Sequence, residues 1–183
     1  GTLAELIEKK TNGVDEEDMS SSTPYISLKH MPEESVILNK WDDAGDISSR
    51  KYQFQRGDIL FGKLRPYFCK VGPAQIDGVC STDIIVITPK KDDIWREYII
   101  FQLSNGSFID YCDKVSTGTR MPRVSWKDIC EYQLPIPTRE AVKNFHENVE
   151  PILDLIASNI HESNDLKEIR DSLIPRLLSG EVR

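Results

Sequence analysis

A chain of 183 residues, 39% of them hydrophobic, is long enough for one ordinary core plus an appendage, and its composition excludes a disordered chain. No apolar run approaches the ~20 residues of a membrane helix, and the opening "GTLAELIEKK" lacks the basic-then-apolar order of a signal peptide. The net charge of -7 is unevenly laid out: residues 1–50 hold 5 basic and 11 acidic residues, residues 51–130 hold 12 and 9, and residues 131–183 hold 6 and 10, so only the middle is hospitable to a polyanion.

In chain order, "LAELIE" predicts one short amphipathic turn or strand, and Gly13 with "VDEEDMSSS" an exposed acidic loop. "PYISL" and "SVIL" predict short strands, since β-branched and aromatic residues lie between turn formers. "KWDDAGDISSRK" reads as a polar loop. "KYQFQ" alternates and ends in the turn signal "RGD"; "DILFGKL" and "YFCKVG" follow, broken at Arg65-Pro66. "DIIVITP", ended by Pro89, has the continuous apolar character of a buried strand. "DIWREYIIFQLSN" shifts to a helical pattern with Ile94, Tyr98, Phe101 and Gln102 near one face. "SFIDYC" predicts a second short helix, and "SWKDICEY" a helical turn capped by Ser125 with Asp128 at its third position. "QLPIP" is extended by its prolines.

After Pro137 the pattern changes. Thr138 is a suitable N-cap, and an apolar seam spaced by threes and fours runs through Val142, Phe145, Val149, Ile152 and Ile156. It falters at Asn159 and Ser163, where Ile160 offers an alternative contact, and resumes through Leu166, Ile169, Leu173 and Leu177. About 40 helical residues make a rod of ~60 Å. Such a narrow stripe wants a partner helix, within or between molecules, and Asn159 could set its register. Pro151 should kink the helix, Pro175 kink or end it, and Gly180 suits the exit.

Catalytic constellations are absent from the sequence. His146 and His161 lie 15 residues apart on the long helix, and His30 has no neighbour completing a metal triplet. There is no P-loop, no dinucleotide glycine fingerprint and no nucleophile elbow. Cys69, Cys80, Cys112 and Cys130 form no C-x-x-C pair and fit reduced, partly buried thiols of a cytoplasmic protein. Glu8 to Lys10 imitate part of a nuclease motif, and Asp58 and Asp83 flank apolar strands as a metal pair would, but caps and turns use Asp routinely.

Anion binding is better supported. "GKLRPYFCK" sets Lys63, Arg65 and Lys70 beside Tyr67 and Phe68, a mixture that suits phosphate contact and stacking. "KVSTGTRMPRVSWK" carries Lys114, Arg120, Arg123 and Lys127 with no acidic residue, and Gly118 and the hydroxyl residues Ser116, Thr117 and Thr119 lie among them. "SSRKYQFQR" adds Arg50, Lys51 and Arg56. These three stretches could converge on one face, or be scattered by the fold.

"STGTRMPRVSWKDICEYQLPIPTREAVKNFHENVEPILDLI" resembles the end of a target-recognition domain running into the spacer helix of type I restriction-modification specificity subunits. "GDILFGKLRPYFCKV" followed by "GVCSTDIIVITPK" is similar to the mid-domain strands of that family, and "LKEIRDSLIPRLLSGEV" to the close of the distal half of such a subunit. The resemblance implies an α+β recognition domain at 1–137 and a helical spacer or dimerisation region at 138–183. It implies sequence-specific binding of double-stranded DNA, with no catalysis by this chain. Modification subunits binding S-adenosylmethionine and a restriction subunit using ATP and Mg would be the partners. One domain and one helix match either the distal half of a two-domain subunit or a half-size subunit that pairs with itself through the helix.

The expected DNA contacts are Lys51, Lys63, Arg65, Tyr67, Lys70, Lys114, Arg120 and Arg123. The expected helix interface is Val142, Phe145, Val149, Ile152, Ile156, Leu166, Ile169 and Leu173. Because "KVSTGTRMPRVSWK" helps carry the family likeness while members read different DNA, its cations suit grip on phosphate. Base choice is expected from "LKHMPEESVILNKWDDAGDISSRK" or "KLRPYFCK". The rival readings are a helix-mediated protein adaptor that never touches DNA and a metal-dependent nuclease.

Overall fold

A computed structural model describes residues 1–15, 17, 19–45 and 49–179. Parts of the predicted acidic loop (16 and 18) and polar loop (46–48), and the expected exit at Gly180, lie outside the described residues. The chain forms two compact units, Gly1–Glu147 and Asn148–Arg183.

The first unit is built on two sheets. One has the strand order β1 (Ile7–Lys10), β9 (Ile84–Pro89), β6 (Ile59–Gly62), β7 (Val71–Pro73), antiparallel throughout. The other runs β2 (Gly13–Val14), β5 (Lys51–Phe54), β8 (Gly78–Cys80), β3 (Pro24–Ile26), β4 (Asp42–Asp43), with β3 and β8 parallel. Leu60, Ile84 and Val86 of the first sheet share a core with Ile26, Phe54 and Cys80 of the second. Side chains alternate along a strand, so the neighbours of these residues face the other way. There Phe61 meets Phe108 of α2 (Gly106–Val115) edge to face at 5.7 Å. The helix α1 (Arg96–Leu103) packs on β6, β7 and β9. Covered on both faces, β6 and the first four residues of β9 are buried without alternation, which is why their sequences are apolar runs although the sheet is antiparallel.

The mid-chain strands and all the predicted helices are present. "LAELIE" is both alternatives in succession, a 3₁₀ turn at Leu3–Glu5 and then β1. Four details differ. Of "YFCKVG" only Val71 and Gly72 lie in a strand, because Tyr67 and Phe68 belong to a 3₁₀ turn at Pro66–Phe68. "SVIL" is not a strand; Ser35 alone bridges to Lys70. The buried face of α1 is Glu97, Ile99, Ile100 and Leu103, while Phe101 is exposed, because the sheet covers a different arc from the one the sequence spacing suggested. Gly13 and Asp42–Asp43, read as loop, pair as short strands. All four cysteines are free, and burial pushes the Cys80 and Cys112 thiols up to about 12.

The long helix α4 is Arg139–Leu178, unbroken through Pro151 and Pro175. Thr138 starts it, accepting the Ala141 N–H on its hydroxyl (3.3 Å) and the Val142 N–H on its carbonyl (3.1 Å). The boundary between units falls ten residues past the change of pattern at Pro137, because the opening turns of α4 belong to the first unit. Val142 is buried, Phe145 packs edge to face on Phe101, and His146 Nδ1 lies 2.7 Å from a carboxylate oxygen of Glu97, itself 1% exposed. Two expected seam residues, Val142 and Phe145, thus lie in the first unit. In the second unit Val149 and Ile156 are half-buried, whereas Ile152, Leu166, Ile169 and Leu173 are exposed.

His30 is the buried histidine of the first unit. Its Nδ1 accepts the Ser27 N–H at 3.0 Å, which makes it the neutral tautomer with the proton on Nε2, 3.1 Å from Asp42 Oδ2. Desolvation lowers its pKa. The unfolded chain therefore binds this proton more readily, so the stability that His30 contributes is present above its unfolded pKa of about 6.5 and is lost as pH falls through the folded value. Thermal melts from pH 7.5 to 5 should show a steeper loss for the parent chain than for His30→Asn. Parallel curves would count against this.

Candidate nucleic-acid interface

The segment 114–127 is held at both ends by helices. At its start Lys114 is exposed in the last turn of α2, and the Ser116 hydroxyl donates back to Cys112 O at 2.7 Å. At its end Ser125 caps α3 (Trp126–Glu131) through a capping box with Asp128. The Tyr111 hydroxyl ties the two helices by donating to Asp128 O at 2.9 Å. Between them Thr117 and Arg123 exchange two backbone hydrogen bonds of 3.0 and 2.9 Å, pinching residues 118–122 into a tight loop. Gly118 has φ +102, and a Cβ there would lie 3.1 Å from Met121 O. Thr119, Arg120 and Met121 are exposed on this loop. Gly118→Ala should strain the loop by ~1–3 kcal/mol, leaving the melting temperature of the core little changed while reducing duplex affinity. Unchanged affinity would show the loop shape to be immaterial.

The second basic segment is a strained turn. Arg65 (φ 52) and Cys69 (φ 47) flank a 3₁₀ turn at Pro66–Phe68, and Glu34 (φ 53) donates its N–H to Phe68 O at 3.4 Å. Non-glycine residues in the left-handed region are uncommon and tend to cluster where side chains are held for use. Here the turn leaves Arg65 exposed and Tyr67 45% exposed. Tyr67 stands beside a cleft of ≈ 640 Å³ lined also by Glu34, Phe101, Ile109 and Asp110.

These two segments meet. The Arg65 N–H donates to Pro122 O at 2.7 Å, and its guanidinium Nη2 to Arg120 O at 3.4 Å. The Val124 N–H donates to Lys63 O at 3.1 Å, and Leu64 bridges to Arg123. Asp83, just before β9, accepts the Lys63 N–H on its carbonyl (3.0 Å) and Arg123 Nε on its carboxylate (3.3 Å). Lys63, Arg65, Arg120 and Arg123 are therefore locked into one backbone-bonded patch. Like-charged side chains repel, and here the cross-links between main chains offset that repulsion without neutralising most of the cations.

The remaining expected contacts are placed otherwise. Lys51 is 5% exposed; its ammonium donates to Ser49 O at 2.8 Å, lies over the Tyr25 ring, and has its pKa lowered by burial. It stands on β5 in the other sheet, unavailable to a phosphate, whereas Arg50 and Arg56 of the same stretch are exposed. Lys70 is mostly buried, donating to Leu28 O at 2.8 Å with Glu33 at 3.8 Å and the Phe68 ring beneath it. Lys127 pairs with Glu131 one turn on in α3. Asp58, one half of the imagined metal pair, accepts from Lys10 at 2.8 and 3.0 Å and from the Gln55 N–H at 2.8 Å, the arrangement of a turn cap. The role of Asp83 as the junction of both segments was not legible, since 40 residues separate it from Arg123 and no spacing rule links them.

The profile of the type I restriction modification DNA specificity domain matches residues 1–169. The chain belongs to this family. It is 26% identical over 140 residues to the EcoDI type I restriction enzyme specificity subunit of Escherichia coli, covering 74% of this chain and 31% of that subunit. It is 24% identical over 171 residues to the MjaIX specificity subunit of Methanocaldococcus jannaschii, covering 90% and 38%. Its fold is shared with the HsdS subunit of Thermoanaerobacter tengcongensis at a TM-score of 0.65 and 18% identity, over 93% of this chain and 46% of that one. This specificity-domain chain thus spans about a third of those curated relatives and under half of that solved subunit. Mixed sheets followed by a long carboxy-terminal helix are the α+β architecture expected from its sequence. Among its described residues, no helix is long and apolar enough to cross a membrane.

Proposed function

We propose that this specificity domain grips double-stranded DNA through the patch formed by Lys63, Arg65, Arg120 and Arg123, with Lys114 and Tyr67 beside it, and acts as a recognition module rather than an enzyme. The observation that carries the reading is the cross-linking of the two basic segments into one surface of fixed geometry, in a chain otherwise acidic. Arginine forks suit phosphate oxygens bidentately, and phosphate contacts set register while base edges specify sequence. Tyr67, its side chain 45% exposed in the middle of the turn at Pro66–Phe68, is suited to stack on a sugar or base. Lys51 is omitted from the contact set for its burial, and Lys70 is given a structural role.

In the cell the chain would work in the cytoplasm with modification subunits that bring S-adenosylmethionine and a restriction subunit that brings ATP and Mg. Helix α4 would be the spacer. Its exposed Ile152, Leu166, Ile169 and Leu173 form a stripe suited to a second helix, either from the other half of a longer subunit or from a second copy. Anisotropy of a labelled mixed-sequence duplex between 50 and 200 mM salt tests the grip: affinity should fall steeply and log-linearly with salt. Binding that is absent, or indifferent to salt, would leave the adaptor reading. Mapping adenine methylation in the host with and without the chain would report the sequence it selects.

A further inference from the structure

The contact between Asp83 and Arg123 places a carboxylate inside the cationic patch, where simple charge counting says it should hinder a polyanion. We propose that Asp83 is a positioning residue for DNA binding: it holds Arg123 by Nε, so that the two terminal nitrogens of the guanidinium are presented to a backbone phosphate. This rests on the DNA-binding reading above.

Both partners are anchored by main chain. Asp83 receives Lys63's N–H on its carbonyl at 3.0 Å, and its own N–H donates to Ser81 Oγ at 3.3 Å. Arg123 is paired in both directions with Thr117. The side chains are 30% and 47% exposed and meet at 3.3 Å through Nε and Oδ1. Such a single, partly solvated contact is worth little as a stabilising ion pair. Its geometric effect is larger. Arginine has five donors in a rigid planar fork; fixing Nε sets the plane of the fork. The contact engages Nε alone, and the Arg123 side chain remains 47% exposed. An arginine oriented in the free protein loses less freedom when phosphate arrives.

Charge counting and positioning predict opposite signs. Removing the carboxylate with Asp83→Asn takes away one negative charge and should tighten DNA binding if Asp83 merely repels. Positioning predicts about three- to tenfold weaker binding of a mixed-sequence duplex. It also predicts that the loss vanishes in an Arg123→Ala background and that Asp83→Glu, which keeps a carboxylate, recovers part of it. The backbone bonds of Asp83 do not need its carboxylate, so the melting temperature should hold. Were Asp83→Asn to unfold, Arg123→Lys takes its place: it keeps the charge but not the fork, and must weaken binding. Equal or tighter binding by Asp83→Asn, an undiminished loss in the Arg123→Ala background, or parent-like binding by Arg123→Lys would overturn the positioning role while leaving DNA binding intact. A parent chain that binds no duplex at all overturns the DNA reading and this inference together.

Discussion

Replacing Arg120 and Arg123 together with alanine is expected to weaken duplex binding by about a hundredfold at low salt, taking ~1.4 kcal/mol for each charge-assisted phosphate contact. The log–log salt slope should fall by about 1.8, since each neutralised phosphate contributes ~0.9. Arg120 is exposed on the loop pinched by Thr117 and Arg123, Arg123 is exposed at its close, and their backbones accept or exchange bonds that alanine retains. Folding should therefore be nearly unaffected. The loss should be similar for all duplexes, because grip on phosphate carries no sequence information. Titrations over a salt series, on two unrelated duplexes, measure all of this. Unchanged affinity and slope would remove these arginines from the interface, whereas a loss confined to one duplex would make them base readers.

The largest effect on stability is expected from Phe61→Ala. Phe61 is fully buried in β6 and meets Phe108 of α2 edge to face. It is thus the point where the central sheet locks onto the helix that leads into the basic loop. Truncating such a ring removes its transfer free energy and leaves a cavity, together ~3–5 kcal/mol. For a chain of this size that lowers the melting temperature by roughly 10 °C. Because α2 carries Lys114 in its last turn and positions Ser116, DNA affinity should also decline in the folded fraction. A melting point within about 2 °C of the parent would mean that α2 does not depend on this contact.

Some of this architecture was plain in the sequence because the relevant physics is local. Ser125 with Asp128 is a capping box in any helix that begins there, and Thr138 before an apolar seam spaced by threes and fours begins α4. The buried run of β9 is apolar on both faces, so it reads as a strand without knowledge of its neighbours. Other features misled for equally physical reasons. The face of α1 that is buried depends on where the sheet lies, and Glu97, at 1% exposure, is inside because Arg96 and His146 partner it. No hydropathy pattern anticipates a buried carboxylate. Val142 and Phe145 continue the seam without a break in spacing, yet they lie in the first unit, since periodicity shows which side of a helix is apolar and not what covers it.

The candidate site divides along the same line. Cationic residue types, their clustering at 63–70 and 114–127, the freedom from acidic residues between Lys114 and Lys127, and the turn-forming Gly118 and Pro122 are properties of the chain itself. Sequence alone also determined the long terminal helix, because caps and periods act over a few residues, and the ordered motifs from 57 to 182 carried the family likeness and the α+β class that it implies. Only the tertiary structure decided which cations belong together. It joined Arg65 to Pro122 and Arg120 through hydrogen bonds spanning more than fifty residues, withdrew Lys51 beneath Tyr25 and Lys70 against Leu28, and set Asp83 between the two segments. Charge repulsion within one segment is visible from its composition. The main-chain bonds that overcome repulsion between two segments exist only once the strands that carry them are paired.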